Sequence, residues 1–205
     1  MSLLNTLHGG KVFPRRQRVL VGHIAALIPD GCTVLDVGTG DGSIAQAIQS
    51  QKTGVEIRGI DVLVRRETKI PVTPFDGKSI PYADNSFDVV LFVDVLHHTE
   101  DPQVLLDEAA RVARRCVIIK DHCRNGLLAG PTLRFMDWVG NARFGVALPY
   151  NYWSHAQWAA GYRRAGLVVS QSVTKLGLYP FWANWLFGRG LHSIVVLEKR
   201  LVAVT

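Results

Sequence analysis

Three glycines at alternate positions, Gly38, Gly40 and Gly42, follow directly on the apolar run Thr33-Val34-Leu35-Asp36-Val37 and lead through Ser43 into Ile44 to Ile48. The run reads as a short buried parallel strand and the stretch after it as a helix. Glycine serves where the backbone takes positive φ or where a ligand must approach without a Cβ in its way. Strand, glycine turn and helix N-terminus together make a concave seat at the carboxyl edge of a sheet. A dinucleotide fingerprint carries its third glycine at the sixth position, which here is Ser43. Asp41 would repel a pyrophosphate at the helix end. The turn therefore suits a ligand with cationic groups and no phosphates. Two further sets carry chemistry: His97-His98 after the apolar run from Val89, and Asp121-His122 after Cys116 to Lys120. Imidazoles titrate near neutrality and can move protons.

The elements that position these groups alternate as an open α/β sheet requires. A first helix is predicted over 16–28, with Leu20, Ile24 and Leu27 on one face and Pro29-Asp30-Gly31 ending it. Strand, helix and strand run from Thr33 to Val62, and the short charged segment 63–69 leaves little room for a helix. Strands follow near 70–75 and 88–93. Asp101 before Pro102 is an N-cap for a helix ending near Arg115, and 116–120 reads as a fifth strand. Residues 123–153 show no sheet rhythm and form an insertion. Ser154 caps a helix to Ala165 that Gly166 stops. Segments 167–174 and 191–198 are the last two strands, an antiparallel edge pair joined by an apolar loop, 177–190.

The motifs together resemble the class I S-adenosylmethionine-dependent methyltransferases. The glycine turn matches that family's first motif. Residues 56–62 (EIRGIDV) resemble its second strand, ending on Asp61. Residues 75–88 (FDGKSIPYADNSFD) resemble its Asp, Leu-Pro-Phe and Asn-Ser-Phe-Asp segment, and 89–98 (VVLFVDVLHH) its fourth strand and exit. The match runs from Thr33 to His122, and as a set it is far more specific than a lone glycine motif. It implies a Rossmann-like, seven-stranded mixed sheet in the order 3-2-1-4-5-7-6, strand 7 antiparallel, with helices on both faces. It implies one domain over 1–205, with an N-terminal cap over 1–30 and the acceptor-side insertion over 123–153. The implied cofactor is S-adenosyl-L-methionine, leaving as S-adenosyl-L-homocysteine. Its implied contacts are Asp36, Gly38, Thr39, Gly40, Gly42, Asp61, Val62, Phe75, Asp76, Gly77, Val93 and Asp94. Of these, the glycine turn would meet the methionine part, Asp61 the ribose hydroxyls and Asp76 the adenine amino group. An acceptor-only carboxylate suits a vicinal diol, since both hydroxyls can donate to it. Arg114-Arg115 stand where the family often places Lys-Pro-Gly-Gly, which shortens a turn.

Methyl transfer is an in-line displacement, so the protein mostly aligns and desolvates the reactants. A base is needed only where the acceptor must lose a proton. His98 and His97 are the candidates for that role, the other reading being that they shape the loop and the cofactor wall. Asp121-His122 would face the cleft, which makes His122 a substrate candidate. His23 and His192 read as structural or surface residues, and His8 and Lys11 precede a helix that in this fold often covers the cofactor. All five tryptophans lie after residue 137. An aromatic cover of this kind suits an apolar or aromatic small-molecule acceptor. Trp182 and Trp185 are its substrate candidates, whereas Trp158 and Tyr162 read as core.

Composition bounds the alternatives. The 205 residues, 48% of them hydrophobic, fit one core, and three cysteines at no metal-ligand spacing read as reduced thiols in the cytoplasm, with no metal expected. No secretory signal or membrane span is visible. The net charge of +6 is dispersed, without the like-charge block of a nucleic-acid arm, and leaves RNA or peripheral contact with an anionic membrane open. An RNA methyltransferase is the alternative, yet the fourth strand lacks an Asn/Asp-Pro-Pro-aromatic tetrad. A non-catalytic cofactor-binding partner subunit is another, and a dehydrogenase the last. Monomer and homodimer are both compatible with the chain.

Overall fold

The computed structural model describes residues 13–141, 149–188 and 190–200. In chain order the elements are α1 (Phe13–Leu27), β1 (Thr33–Val37), α2 (Ser43–Gln49), β2 (Glu56–Asp61), β3 (Val72–Pro74), β4 (Phe87–Val93), a 3-10 turn (Leu96–His98), α3 (Pro102–Val112), β5 (Ala113–His122), α4 (Ala129–Asn141), α5 (His155–Arg164), β6 (Leu167–Val173), α6 (Phe181–Phe187) and β7 (His192–Lys199). The strands form one sheet in the order β3-β2-β1-β4-β5-β7-β6. β1 to β5 run parallel, and β7 is antiparallel to both β5 and β6. This is the predicted Rossmann-like topology. Its reversal of strand order at β1 and β4 opens a crevice beyond their carboxyl ends, the usual place for a ligand in such sheets.

Alternation along the central strands supplies both faces of the core. Val34, Val89, Leu91 and Ile118 join Leu20, Ile24 and Ile28 of the α1 region and Ile48 of α2 on one side. Leu35, Val90, Phe92, Val117 and Ile119 join Leu105 and Leu106 of α3 and Trp158 and Tyr162 of α5 on the other. Period-two burial on both faces is what a covered parallel sheet demands. The caps fall where the residue types place them. Asp101 accepts from the Gln103 backbone at 2.9 Å with Pro102 at the first helical position, and Ser154 and Gln157 close a capping box. Segment 62–71 is free of helix, as its charge and length predict.

Three elements and the setting of His192 differ from the sequence reading. β5 begins at Ala113, so Arg114 and Arg115 lie in the strand and not in a turn; Ala113 pairs with Phe87 and Cys116 with Glu198. The insertion carries a helix, α4, whose Pro131 falls in the first turn, where a missing N–H is tolerated. The apolar loop 177–190 contains α6. β6 forms the sheet edge, as the predicted order has it, and His192, read as a structural or surface residue, is buried on β7 between β5 and β6. Among the described residues no helix is long and apolar enough to cross a membrane.

Candidate active site

The glycine turn is built as its residues require. Gly38, Gly40 and Gly42 take φ of 73°, 62° and 76°. A Cβ on Gly38 would lie 2.6 Å from a methyl of Val95, whereas one on Gly40 would meet no protein atom within 4 Å. The first glycine thus lets the β4 exit close on the turn, and the second borders open space. Asp36, at the end of β1, is 3% exposed and accepts from the Thr39 hydroxyl at 2.6 Å. Burial pushes its carboxyl up to about 7, with the Asp61 charge adding to that and the Thr39 bond opposing it. Asp41 turns its carboxylate onto the backbone N–H and hydroxyl of Ser43, at 3.0 and 2.7 Å, so the α2 N-terminus already holds an anion. A phosphate has no place there.

β2 and the segment after β3 complete this side. Asp61 accepts from the Gly40 N–H through one oxygen and from the Leu63 N–H through the other, each at 2.8 Å. A carboxylate offers about four lone-pair positions, so half remain for a ligand. Phe75 donates its N–H to the Asp61 carbonyl at 3.2 Å, and Gly77 lets Val62 pack where a Cβ would stand 3.0 Å from it. Asp76 takes the Lys78 and Ser79 N–H groups on a single oxygen, at 2.8 and 2.7 Å, and neither bond uses its second oxygen. These residues form a continuous rim of acceptors along the carboxyl edge of β1, β2 and β3.

Beyond the β4 exit lies a second, more buried set. Asp94 has φ 58°, uncommon for a side-chain-bearing residue though least so for Asn and Asp. It is held between Arg16 of α1, at 2.5 Å, and Lys120 of β5, which is fully buried and also sits 3.4 Å from the His192 imidazole. Burial alone would raise the Asp94 carboxyl; Lys120 and Arg16 outweigh it and hold the group well below the usual carboxylate range. His97, 1% exposed, places Nδ1 2.5 Å from Asp121, and its Nε2 lies 3.4 Å from an oxygen of Asp137 on α4. Burial opposes its charge, but Asp121 and then Asp137 prevail and raise it to about 10. Its neighbour His98 goes the other way, to about 4, through burial and the His97 charge. Burial also lowers His122, again with His97, and drives His192 well down, here with Lys120. Tyr152 donates to Asp137 at 2.5 Å.

A methyltransferase-domain family matches residues 35–118. An uncharacterized methyltransferase of Mycobacterium sp. (strain JLS) is 38% identical over 196 residues, covering 85% of this chain and 77% of its own length. The chain belongs to the class I S-adenosylmethionine-dependent methyltransferases. The 2-methyl-6-phytyl-1,4-hydroquinone methyltransferase of Synechocystis is 27% identical over 78% of this chain and 54% of the relative. Two other mycobacterial relatives and one from Methanocaldococcus jannaschii are spanned over only 36% to 52% of their length. An S-adenosylmethionine-dependent methyltransferase from Mesorhizobium loti has the same fold, with a TM-score of 0.66 at 16% identity over 87% of this chain and 96% of that one.

In this methyltransferase the candidates from Asp36 to Gly77 lie along the carboxyl edge of β1 to β3, Val93 ends β4 and Asp94 is taken by Arg16 and Lys120 in the buried set, while the acceptor-side candidates scatter. His97 is buried against Asp121 and stacked on Tyr152; of the two catalytic candidates only His98 keeps partial exposure. His122, expected to face the cleft, is buried, with its N–H on Asp121 and its carbonyl accepting from the Trp158 indole at 3.1 Å. Trp185 stands 81% exposed on α6. The Trp182 side chain, His8 and Lys11 lie outside the described residues. His23 bonds the Leu176 carbonyl at 3.0 Å and is structural; His192, read as structural or surface, belongs to the buried set. Trp158 and Tyr162 are core, as expected. Asp121, expected to face the cleft with His122, is buried on His97; Arg16, Lys120, Asp137 and Tyr152 escaped assignment from the sequence. Their one signal is polarity inside apolar stretches, a lysine closing Val117-Ile118-Ile119 and an acid within Phe135-Met136-Asp137-Trp138.

Proposed function

We propose that the protein transfers a methyl group from S-adenosylmethionine to a small apolar or aromatic acceptor. The observation that carries this reading is the unbroken acceptor rim from the glycine turn through Asp61 to Asp76, at the β1–β4 crevice of a methyltransferase fold. The rim fits the cofactor. Asp61 keeps lone pairs for the ribose hydroxyls, Asp76 keeps an oxygen for the adenine amino group, and the open side of Gly40 leaves room for the methionine part. Exposed Val62 offers an apolar edge beside them. When bound, S-adenosylmethionine supplies an electrophilic methyl carbon on a sulfonium. The Asp36 and Asp61 carboxylates favour cationic groups in this turn and reject phosphates, as Asp41 does. The chain's task is then to align the acceptor's nucleophile with the methyl carbon and to exclude water. His98 contributes a neutral imidazole to the β4 exit; with its pKa held near 4 it accepts a hydrogen bond from an acceptor hydroxyl more readily than it takes the proton.

Support for the acceptor class comes from the outer faces of α4 and α6. Phe135, Trp138, Phe181 and Trp185 are exposed there, and the Phe135 ring lies 6.5 Å from that of Phe187, which joins the two helices. The inner face of α4 reaches His97 through Asp137, so this aromatic surface borders the same end of the sheet. A lipophilic phenol or hydroquinone suits it, and the Synechocystis relative is named for such a substrate. The test is calorimetry with S-adenosylmethionine and S-adenosylhomocysteine, then transfer of a labelled methyl group to lipophilic phenols, to polar ones and to RNA. One site per chain at micromolar affinity, with transfer to the lipophilic set, is expected. A folded protein that binds neither ligand, or one that methylates only RNA, overturns the reading.

A further inference from the structure

Two ring nitrogens in the second set, His97 Nε2 and His98 Nδ1, are buried and meet no hydrogen-bond partner among the described residues. His97 Nε2 lies 3.4 Å from an Asp137 oxygen, and one potential ligand atom from each of His97, His98 and Asp137 falls within 4.8 Å of the other two. We propose that His97, His98 and Asp137 form a mononuclear site for a divalent transition metal of the zinc class.

Geometry separates this trio from its surroundings. Zinc bonds to imidazole nitrogen and carboxylate oxygen measure about 2.0–2.1 Å, which sets the edge of a tetrahedron at roughly 3.3–3.4 Å. His97 Nε2 and the Asp137 oxygen are 3.4 Å apart, and the two imidazole rings are adjacent, with centroids 4.0 Å apart. A second trio, His97, Asp121 and His122, is as compact but already satisfied. There Asp121 sits 2.5 Å from His97 Nδ1 and takes the His122 N–H at 2.6 Å, distances that belong to hydrogen bonds and leave no room for an ion between the atoms. Asp121 is instead the outer partner. Metal-binding histidines almost always give their other N–H to a carboxylate, which fixes the tautomer and the ring. With Nδ1 donating to Asp121, His97 turns the Nε2 lone pair toward Asp137, where two acceptors in contact are unfavourable unless a cation lies between them. In the metal-free protein a proton on Nε2 fills that role; the metal replaces it. Tyr152, donating to Asp137 at 2.5 Å, holds the carboxylate in the same way.

Two imidazoles and one carboxylate leave a fourth position for an exchangeable oxygen ligand, the arrangement of catalytic and not structural zinc. His98 is the one member with partial exposure, so that position opens on the acceptor side. A hydroxyl or water bound there would be acidified, the known effect of such a centre on bound water. The site is independent of the methyltransferase reading, because metal binding can be read with no cofactor or acceptor present.

The experiment strips the full-length protein with a chelator and titrates it with zinc against a chromophoric competitor. Cobalt(II) then serves as a spectroscopic probe. One ion per chain is expected, with cobalt bands of tetrahedral intensity. Asp137→Asn and His98→Gln should each weaken zinc more than about 100-fold, and Asp121→Asn by about 10- to 100-fold. Circular dichroism establishes that each variant is folded; should Asp137→Asn fail to fold, partly exposed His98 supplies the decisive variant. Absence of stoichiometric zinc in the wild-type protein overturns the proposal. So does unchanged affinity in His98→Gln, or an octahedral cobalt spectrum. If cofactor binding persists while zinc does not bind, the metal site falls and the proposed function stands.

Discussion

Replacing Asp36 with asparagine should make the protein more stable at neutral pH, and more so as pH rises. Asp36 is 3% exposed, and its carboxyl is raised from 3.8 to about 7, chiefly by burial. Between those two values the folded chain holds a proton that the unfolded chain has released. Stability therefore falls as pH climbs through this window and levels off above about 7, once the buried group is charged in both states. The full penalty is on the order of 4 kcal/mol. An asparagine in its place keeps an acceptor for the Thr39 hydroxyl and carries no charge, so it avoids the penalty. The stability gained by Asp36→Asn over wild type should grow by about 2.5 kcal/mol between pH 5 and pH 7.5. Urea denaturation at the two pH values measures it, with equal m-values confirming that one transition is being compared. The same substitution should weaken S-adenosylmethionine, since a carboxylate in the turn favours cationic groups. A variant less stable than wild type at pH 7.5, or a difference independent of pH, would refute the account of Asp36 as a destabilised functional acid.

On the opposite wall, Asp61→Ala should reduce S-adenosylhomocysteine affinity by about 1.5–3 kcal/mol, the range for hydrogen bonds to a charged group; calorimetry reads it, and an unchanged affinity would remove Asp61 from the site. Lys120→Met should destabilise the fold by about 3–5 kcal/mol by leaving a buried carboxylate short of one partner. In urea denaturation the double variant with Asp94→Asn should recover part of this, and strict additivity would show that the pair is not coupled.

How much of this was readable follows from which forces are local. The β1 turn and α2 are encoded in one continuous stretch from Thr33, because an apolar run, positive-φ glycines and a helix start each leave a mark in sequence. The caps at Asp101 and Ser154 are equally local. β5 was longer than its apolar centre because strand length is set by neighbours: Ala113 is in the sheet through Phe87 and Cys116 through Glu198, residues far off in the chain. α6 read as a loop because Phe181-Trp-Ala-Asn-Trp-Leu-Phe187 has no polar face to give a period, and glycines flank it. The buried set was legible only in pieces. Arg16 and Asp94 are 78 positions apart and Lys120 and His192 72 apart, so nothing in local spacing pairs them. His97-His98 stood out as imidazoles, but which of them is sealed and which remains partly open depends on Asp121 and α4.

The two sets adjoin at the loop that follows β4. Asp94 follows β4 directly, and its left-handed backbone is fixed from both sides, by Arg16 of α1 and by Lys120 of β5. Next to it, Val95 packs on Gly38 at a distance no Cβ would allow. A change at the buried set therefore reaches the glycine turn through two adjoining residues of one loop. The charges within the set balance in kind: Arg16, Lys120 and His97 face Asp94, Asp121 and Asp137. Such a set tolerates burial because each charge has a partner, but it has no spare charge with which to meet the cofactor's sulfonium. The carboxylates that can do so are those of the rim, Asp36 and Asp61. Under the proposed function, cofactor recognition and acceptor chemistry would be divided between two electrostatic systems that share Asp94 and Val95 as their joint, and substitutions there should disturb both, whereas those at Asp76 or on α6 should disturb one.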